Sequence, residues 1–293
     1  MSAGDRVNLV KKETPKDYHC QCDYCLQVIG NLRPLEGKPY SRLERREYYD
    51  KSEVGKSGHI AKTPLHVARW AIQAYTKVGD WVFDPTVGAG TTAVEALTQG
   101  RHAAGVELQF EEILKANVRR ARRIAPRPTP HVKLKIGDAR KIGEFLKTLK
   151  SPVQLVVNNP PYSGDEHAGV GAKTDPLKTW TTSYESGLPN LAFLREGEEY
   201  WKALQGIYAA CAEHLVPGGH FVVAVKDMMR SRKPFLLHKD LCDLLTKVGL
   251  TFVGTAFLRH YPTTLFLNTY EKRYGVTPPL YQTISIFKKR GKK

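Results

Sequence analysis

The chain has 293 residues, 41% of them hydrophobic, enough to bury one sizeable core with at most a small appendage. Lysine and arginine outnumber aspartate and glutamate by 45 to 29, a formal charge of +16 that favours a polyanionic partner over a merely solvated basic surface. No run approaches the roughly 20 consecutive apolar residues needed to span a bilayer, and the amino terminus lacks the apolar stretch of a signal peptide, so the sequence predicts a cytoplasmic protein with no membrane partner.

Residues 1 to 58 show no sustained periodicity and read as a small irregular appendage, with one short helix over Arg42–Tyr49. It carries His19-Cys20-Gln-Cys22-Asp-Tyr-Cys25. Cys22-x-x-Cys25 is half of a common zinc site, and Cys20 or His19 can add a third ligand. The fourth must come from elsewhere, with His59 one source. A structural zinc on Cys20, Cys22 and Cys25 would pin the segment to the domain or to nucleic acid. Unliganded cysteines in a flexible arm are the alternative.

From Pro64 to Thr76 the apolar spacing of Leu65, Val67, Ala68, Ala71, Ile72 and Tyr75 predicts a helix. Next comes Trp81-Val-Phe-Asp84-Pro-Thr-Val-Gly88-Ala-Gly90-Thr-Thr92, a short strand, a tight glycine turn and a helix opened by Thr91 or Thr92 as N-cap. A second strand, Ala103–Val106, ends in Glu107, where a carboxylate can accept both hydroxyls of a ribose. A third, Val132–Ile136, ends in Gly137-Asp138, and Asp138 can accept from the amino group of an adenine. Gly88-x-Gly90-x-x-Ala93 also fits a dinucleotide fingerprint, but Asp84 beside it would repel a pyrophosphate and attract a sulfonium. The ligand implied is a nucleoside with a cationic tail, as in S-adenosylmethionine.

The apolar run Val153–Val157 reads as a buried strand, followed by Asn159-Pro160-Pro161-Tyr162. Neither proline can donate a ladder hydrogen bond, so the chain leaves the sheet rigidly there. An amide, a fixed carbonyl and an aromatic face then lie side by side, a set suited to a planar ring bearing an amino group.

Asp84-Pro-Thr-Val-Gly-Ala-Gly-Thr-Thr92 followed by Asn159-Pro-Pro-Tyr162 resembles the S-adenosylmethionine-dependent amino-methyltransferases of nucleic acids, which modify N6 of adenine or N4 of cytosine. His59-Ile-Ala-Lys62-Thr63-Pro64 resembles the family element that closes over the methionine end of the cofactor. The resemblance runs from about residue 59 to 290. It implies a class I methyltransferase fold: a doubly wound, mostly parallel seven-stranded sheet with a final antiparallel strand at the sheet edge. It also implies cofactor contacts at Lys62, Thr63, Asp84, Thr86, Gly88, Gly90, Thr91, Glu107 and Asp138, and catalysis by Asn159, Pro160 and Tyr162. Thr86-Val87 stands where the family commonly has an aromatic, and no long recognition domain is evident.

Downstream, recognition loops are expected near 163–195, 226–239 and 260–280 of a methyltransferase domain spanning 59–293. Lys173, Lys178 and Trp180 combine cations with a stacking face suited to a displaced base, and Lys226, Arg230 and Arg232 read as phosphate contacts. A solvated lid and a solvated basic loop are the rival readings. Further helices are expected over Glu198–His214 and Leu236–Val248, and strands over Phe221–Val225, Thr251–Leu258 and Thr283–Phe287. The expected function is methyl transfer to a base amino group in DNA, with N6 of adenine preferred to N4 of cytosine. RNA bases and a protein glutamine amide are the alternative targets.

Overall fold

The structure is a computed structural model. It describes residues 9–32, 63–149, 151–162, 189–194, 197–230, 233–259 and 279–291, with a few positions between 272 and 277. In chain order the elements begin with β1 (Leu9–Val10), α1 (Asp23–Leu26) and β2 (Val28–Leu32). Strands and helices then alternate: α2 (Leu65–Tyr75), β3 (Trp81–Asp84), α3 (Thr91–Thr98), β4 (His102–Glu107), α4 (Glu111–Ile124) and β5 (Val132–Ile136). They continue with α5 (Ile142–Lys147), β6 (Val153–Asn158), α6 (Glu198–His214) and β7 (Leu215–Lys226). A small hairpin, β8 (Met228–Arg230) and β9 (Lys233–Phe235), leads to α7 (Leu237–Lys247), β10 (Thr251–Arg259) and β11 (Tyr281–Lys288).

A strand that is apolar at nearly every position must be covered on both faces, because successive side chains point to opposite sides. In β6, Leu155 and Val157 enter one core and Val156 the other; in β7, Val222 and Ala224 oppose Phe221, Val223 and Val225 in the same way. Helices α2, α3 and α4 cover the first face through Trp70, Ile72, Leu97 and Leu114. Helices α5, α6 and α7 cover the second through Phe145, Tyr200, Tyr208 and Leu241.

The sheet order is β1-β2-β10-β11-β7-β6-β3-β4-β5. Strands β3 to β7 are parallel, and β11 runs antiparallel to both of its neighbours, β7 and β10. Seven strands, β5-β4-β3-β6-β7-β11-β10, thus make the mostly parallel, doubly wound sheet that the sequence predicts. Two details differ from expectation. The antiparallel strand sits between β7 and β10 rather than at the edge. The sheet also has nine strands instead of seven, because β2 pairs in parallel with β10 and β1 continues beyond it. The edge of β10 is nine residues long, and an uncovered edge of that length invites pairing. Residues 28–32 supply the cover, so the described part of the amino-terminal segment is integral to the sheet rather than an irregular appendage. The expected boundary at residue 58 and the helix over 42–49 lie outside the described residues.

Leu155 is fully buried in the central strand. Leu155→Ala should cost about 2–5 kcal/mol through lost burial and the cavity left behind. Val78→Ala, at a residue 74% exposed, should stay within about 0.5 kcal/mol. Chemical denaturation of the two variants beside the parent checks both values.

Candidate active site at the carboxyl ends of the parallel strands

The chain lays down β3, β4 and β5 outward to one edge and then returns to place β6 on the other side of β3. Ligands of open α/β sheets bind outside the carboxyl ends of the strands at such a reversal. Every strand end there carries a polar group. Asp84 ends β3, Glu107 ends β4, Asp138 follows β5, Asn158 ends β6 with Asn159 next, and Lys226 ends β7.

The glycine loop between β3 and α3 is held by its neighbours. Val87 N–H donates to the Val106 carbonyl at 2.9 Å, and the Asn117 side chain of α4 donates to the Ala89 carbonyl at 2.7 Å. Gly90 has φ +93°, and a Cβ there would lie 2.8 Å from Leu114 Cδ1. At Gly105 in β4 a Cβ would meet Val87 Cβ at 2.9 Å and the Asp84 carbonyl oxygen at 3.1 Å. The loop therefore lies flat on the sheet only because both positions lack a side chain. The N-cap of α3 is Gly90, not Thr91 or Thr92. Thr92 directs its hydroxyl to Asp84 Oδ2 at 2.7 Å instead, because a buried carboxylate is costlier to leave unpaired than a helix end.

Asp84 is 2% exposed. Its Oδ1 accepts from Thr86 N–H and from Asn158 Nδ2, each at 3.1 Å. Asn158 Nδ2 also donates to Thr86 Oγ1 at 2.8 Å, and Asn158 Oδ1 accepts from the Tyr208 hydroxyl at 2.8 Å. Burial pushes the Asp84 carboxyl up to about 6, against the hydrogen bonds from Thr92, Thr86 and Asn158. Asn158 was not singled out from the sequence, although an amide ending an apolar run was the available signal. Tyr208 gave none, since an aromatic on an apolar helix face reads as core.

Glu107 and Asp138 are already engaged. Glu107 Oε2 accepts from Gly88 N–H at 2.9 Å, and Oε1 accepts from Gln109 and Phe110 N–H at 2.8 and 2.9 Å. The predicted ribose acceptor is thus oriented by backbone donors on both oxygens. Asp138 caps a short 3-10 turn through Arg140 N–H at 2.9 Å and pairs with the Arg140 guanidinium at 2.7 Å. Despite partial burial, those contacts hold its carboxyl below the usual range.

Beyond Asn158 the Asn-Pro-Pro-Tyr segment is pinned at two points. The Tyr200 hydroxyl donates to the Pro161 carbonyl at 2.8 Å, and Lys226 N–H donates to the Tyr162 hydroxyl at 2.9 Å. Asn159 Oδ1 is buried and accepts no hydrogen bond among the described residues. It is one of seven such side-chain atoms among the described residues. Because a buried amide oxygen left unmatched costs about 1–3 kcal/mol, a ligand donor reaching it at the strand end would be favoured.

The other predicted residues divide. Thr63 precedes α2 and is half-buried, Thr91 opens α3 and is buried, and Lys226 is half-buried with its ammonium pulled down by burial. Arg230 is described only as backbone in β8. Lys62, Lys173, Lys178, Trp180 and Arg232 lie outside the described residues, as does His59. Cys20, Cys22 and Cys25 do come together, and His238 of α7 joins them, all four ligand atoms lying within 4.8 Å of one another. His238 escaped notice because it lies more than two hundred residues downstream, in a sequence with no second cysteine pair. Among the described residues no helix is long and apolar enough to cross a membrane.

Residues 9–117 match the family described as DNA methylase, of the N6 and N4 methyltransferases. The match includes the Asp84–Thr92 motif and bears out the resemblance there, and Asn159–Tyr162 lies beyond it. Type II methyltransferase M.MthZI of Methanothermobacter thermautotrophicus is 37% identical over 60 residues, 20% of this chain and 17% of its own length. Type II methyltransferase M.BglI of Bacillus subtilis is 36% identical over 77 residues, 26% of this chain and 22% of its own. The similarity therefore spans less than a third of either relative. Among solved structures, TrmN from Thermus thermophilus aligns over 87% of this chain and 55% of its own at 15% identity, with a TM-score of 0.47.

Tyr208→Phe leaves Asn158 Oδ1 buried without a donor and should cost about 1–3 kcal/mol in denaturant unfolding. Asp84 carries a pH signature. Its folded-state value of about 6 exceeds the ordinary 3.8, so its contribution to stability is complete below pH 3.8 and is lost as the pH rises through about 6. Relative to Asp84→Asn, the parent should therefore lose on the order of 2–3 kcal/mol between about pH 4 and pH 7. Unfolding curves collected across that range would reveal a constant difference if the assignment were wrong.

Proposed function

We propose that this chain transfers the methyl group of S-adenosylmethionine to the exocyclic amino group of a base in DNA, N6 of adenine before N4 of cytosine. The observation that carries the reading is the buried, unmatched Asn159 Oδ1, one residue past the amide that binds the glycine-loop carboxylate. An exocyclic amine is a weak nucleophile because its lone pair is delocalised into the ring. Asn159 Oδ1 and the Pro160 carbonyl would accept its two N–H bonds and draw the nitrogen toward tetrahedral geometry. That interaction strengthens as positive charge grows on nitrogen, so it favours the transition state over the ground state.

S-adenosylmethionine supplies the electrophilic methyl group, on a sulfonium. Asp84 places negative charge beneath the glycine loop, Glu107 would meet the ribose and Asp138 the adenine amine. Lys62 and Thr63 would close the methionine end, with Thr86, Gly88, Gly90 and Thr91 lining the loop. Tyr162 would stack on the target base, its hydroxyl already anchored on β7. DNA as the polymer is supported by the family description and by the charge of +16. A duplex base must be flipped out at a cost of a few kcal/mol, and Lys173, Lys178, Trp180, Lys226, Arg230 and Arg232 would offset it through phosphate and stacking contacts. A structural zinc on Cys20, Cys22 and Cys25 belongs to the same proposal.

Incubation with labelled S-adenosylmethionine and DNA, total RNA or release-factor protein, followed by digestion and mass spectrometry, should place label in DNA as N6-methyladenine. Label confined to RNA or protein would overturn the choice of polymer, and N4-methylcytosine the choice of base. Asn159→Ala should lower the transfer rate by about 10²–10³-fold while cofactor affinity changes little. Unchanged turnover would remove Asn159 from the reaction.

A further inference from the structure

The cysteine cluster carries more than its sequence motif shows. Cys25 Sγ lies 3.2 Å from His238 Nε2, Cys22 Sγ lies 3.6 Å from the same nitrogen, and the two sulfurs are 3.5 Å apart. Cys20 Sγ completes the group within 4.8 Å. All the cysteines are free thiols. Three sulfurs crowd one imidazole nitrogen that offers a single lone pair. Besides it, the thiols have as partners among the described residues only one another and, for Cys25, the Tyr18 hydroxyl at 3.7 Å. A tetrahedral zinc with bonds of about 2.3 Å to sulfur and 2.0–2.1 Å to nitrogen separates its ligands by about 3.5–3.8 Å. The observed spacings match that tetrahedron to within a few tenths of an ångström at three edges.

The surroundings of His238 point the same way. Its Nδ1–H donates to Asp227 Oδ2 at 2.6 Å, and its backbone N–H donates to Asp227 Oδ1 at 3.1 Å. Asp227 is fully buried and also meets His19 Nε2 at 2.6 Å. A carboxylate on Nδ1 selects the tautomer whose Nε2 lone pair faces the sulfurs, the arrangement that orients metal-bound histidines. His19 is therefore turned to Asp227 rather than to the cysteines.

We infer that Cys20, Cys22, Cys25 and His238 bind one structural zinc ion with Asp227 behind His238, and that this metal fastens the amino-terminal segment to the sheet. The inference rests on the zinc reading above but not on methyl transfer. The metal's ligands come from two parts of the chain, residues 20–25 and residue 238, that no disulfide joins. The same segment packs Tyr18 against Phe257 and Tyr281 and lays β2 along β10. Asp227 directly follows Lys226, whose N–H holds the Tyr162 hydroxyl. The metal thus secures the end of β7 as well as the sheet edge.

The full chain, purified without chelator, should contain one zinc per molecule by elemental analysis. His238→Ala and Cys25→Ser should lose most of it, whereas Cys211→Ala, at a buried cysteine outside the cluster, should keep it. His238→Cys supplies a different fourth ligand and should also retain zinc, which separates ligand loss from misfolding. Asp227→Asn should bind zinc about 10–100-fold more weakly in competition with a colorimetric chelator. Chelation of the parent should open residues 9–32 to limited proteolysis. Stoichiometric, tight zinc in His238→Ala would overturn the fourth ligand while leaving the cysteine reading intact. A parent that neither carries nor takes up zinc, or a Cys22–Cys25 disulfide in the native protein, would overturn the site itself. Zinc content does not depend on turnover, so neither result bears on the methyl-transfer proposal.

Discussion

The hydrogen bond from Asn158 Nδ2 to Asp84 Oδ1 is the contact on which the site depends. It joins the ends of β6 and β3, the parallel strands at which the order of strand addition reverses. On one side of it stands the glycine loop, built around Asp84 through Thr86 and Thr92. On the other stands Asn-Pro-Pro-Tyr, whose first residue follows Asn158 directly. Under the proposed reaction, the two groups that would meet across the methyl are placed by one buried amide. Positioning of that kind can contribute about 7–11 kcal/mol to a reaction at its best.

The bond is strong because it is dry. Asn158 is fully buried and Asp84 nearly so, with the Tyr208 hydroxyl of α6 donating to Asn158 Oδ1. In such surroundings each hydrogen bond is electrostatically stronger than in water, and each missing one is correspondingly costly. The same logic explains why Thr92 turns away from the helix end it was expected to cap. Glu107 extends the network across the crevice through Gly88 N–H, so the loop is tied to β3, β4 and β6 together.

A second anchor lies at the far side of the sheet. β7 ends in Lys226, and Asp227 follows it: the Lys226 N–H fixes the Tyr162 hydroxyl and the Asp227 carboxylate fixes the His238 imidazole. The amino-terminal segment, the sheet edge and Tyr162 are thereby linked through two adjacent residues. A basic loop read from the sequence as a phosphate contact thus has a structural duty at its start.

Much of this was legible in the sequence, and the reasons are physical. Apolar runs such as 153–157 and 132–136, separated by helical spacing, dictate a sheet covered on both faces. Glycines at 88 and 90 and the proline pair at 160–161 have backbone consequences that no partner can change. The sequence therefore determined the alternating fold, the glycine loop, the rigid exit after β6 and the crowding of three cysteines. What only the tertiary structure decided were pairings across long stretches of chain: β2 on β10, Asn158 on Asp84, Tyr208 on Asn158 and His238 on the cysteines. Those contacts depend on which strand lies beside which, and local periodicity carries no information about that choice.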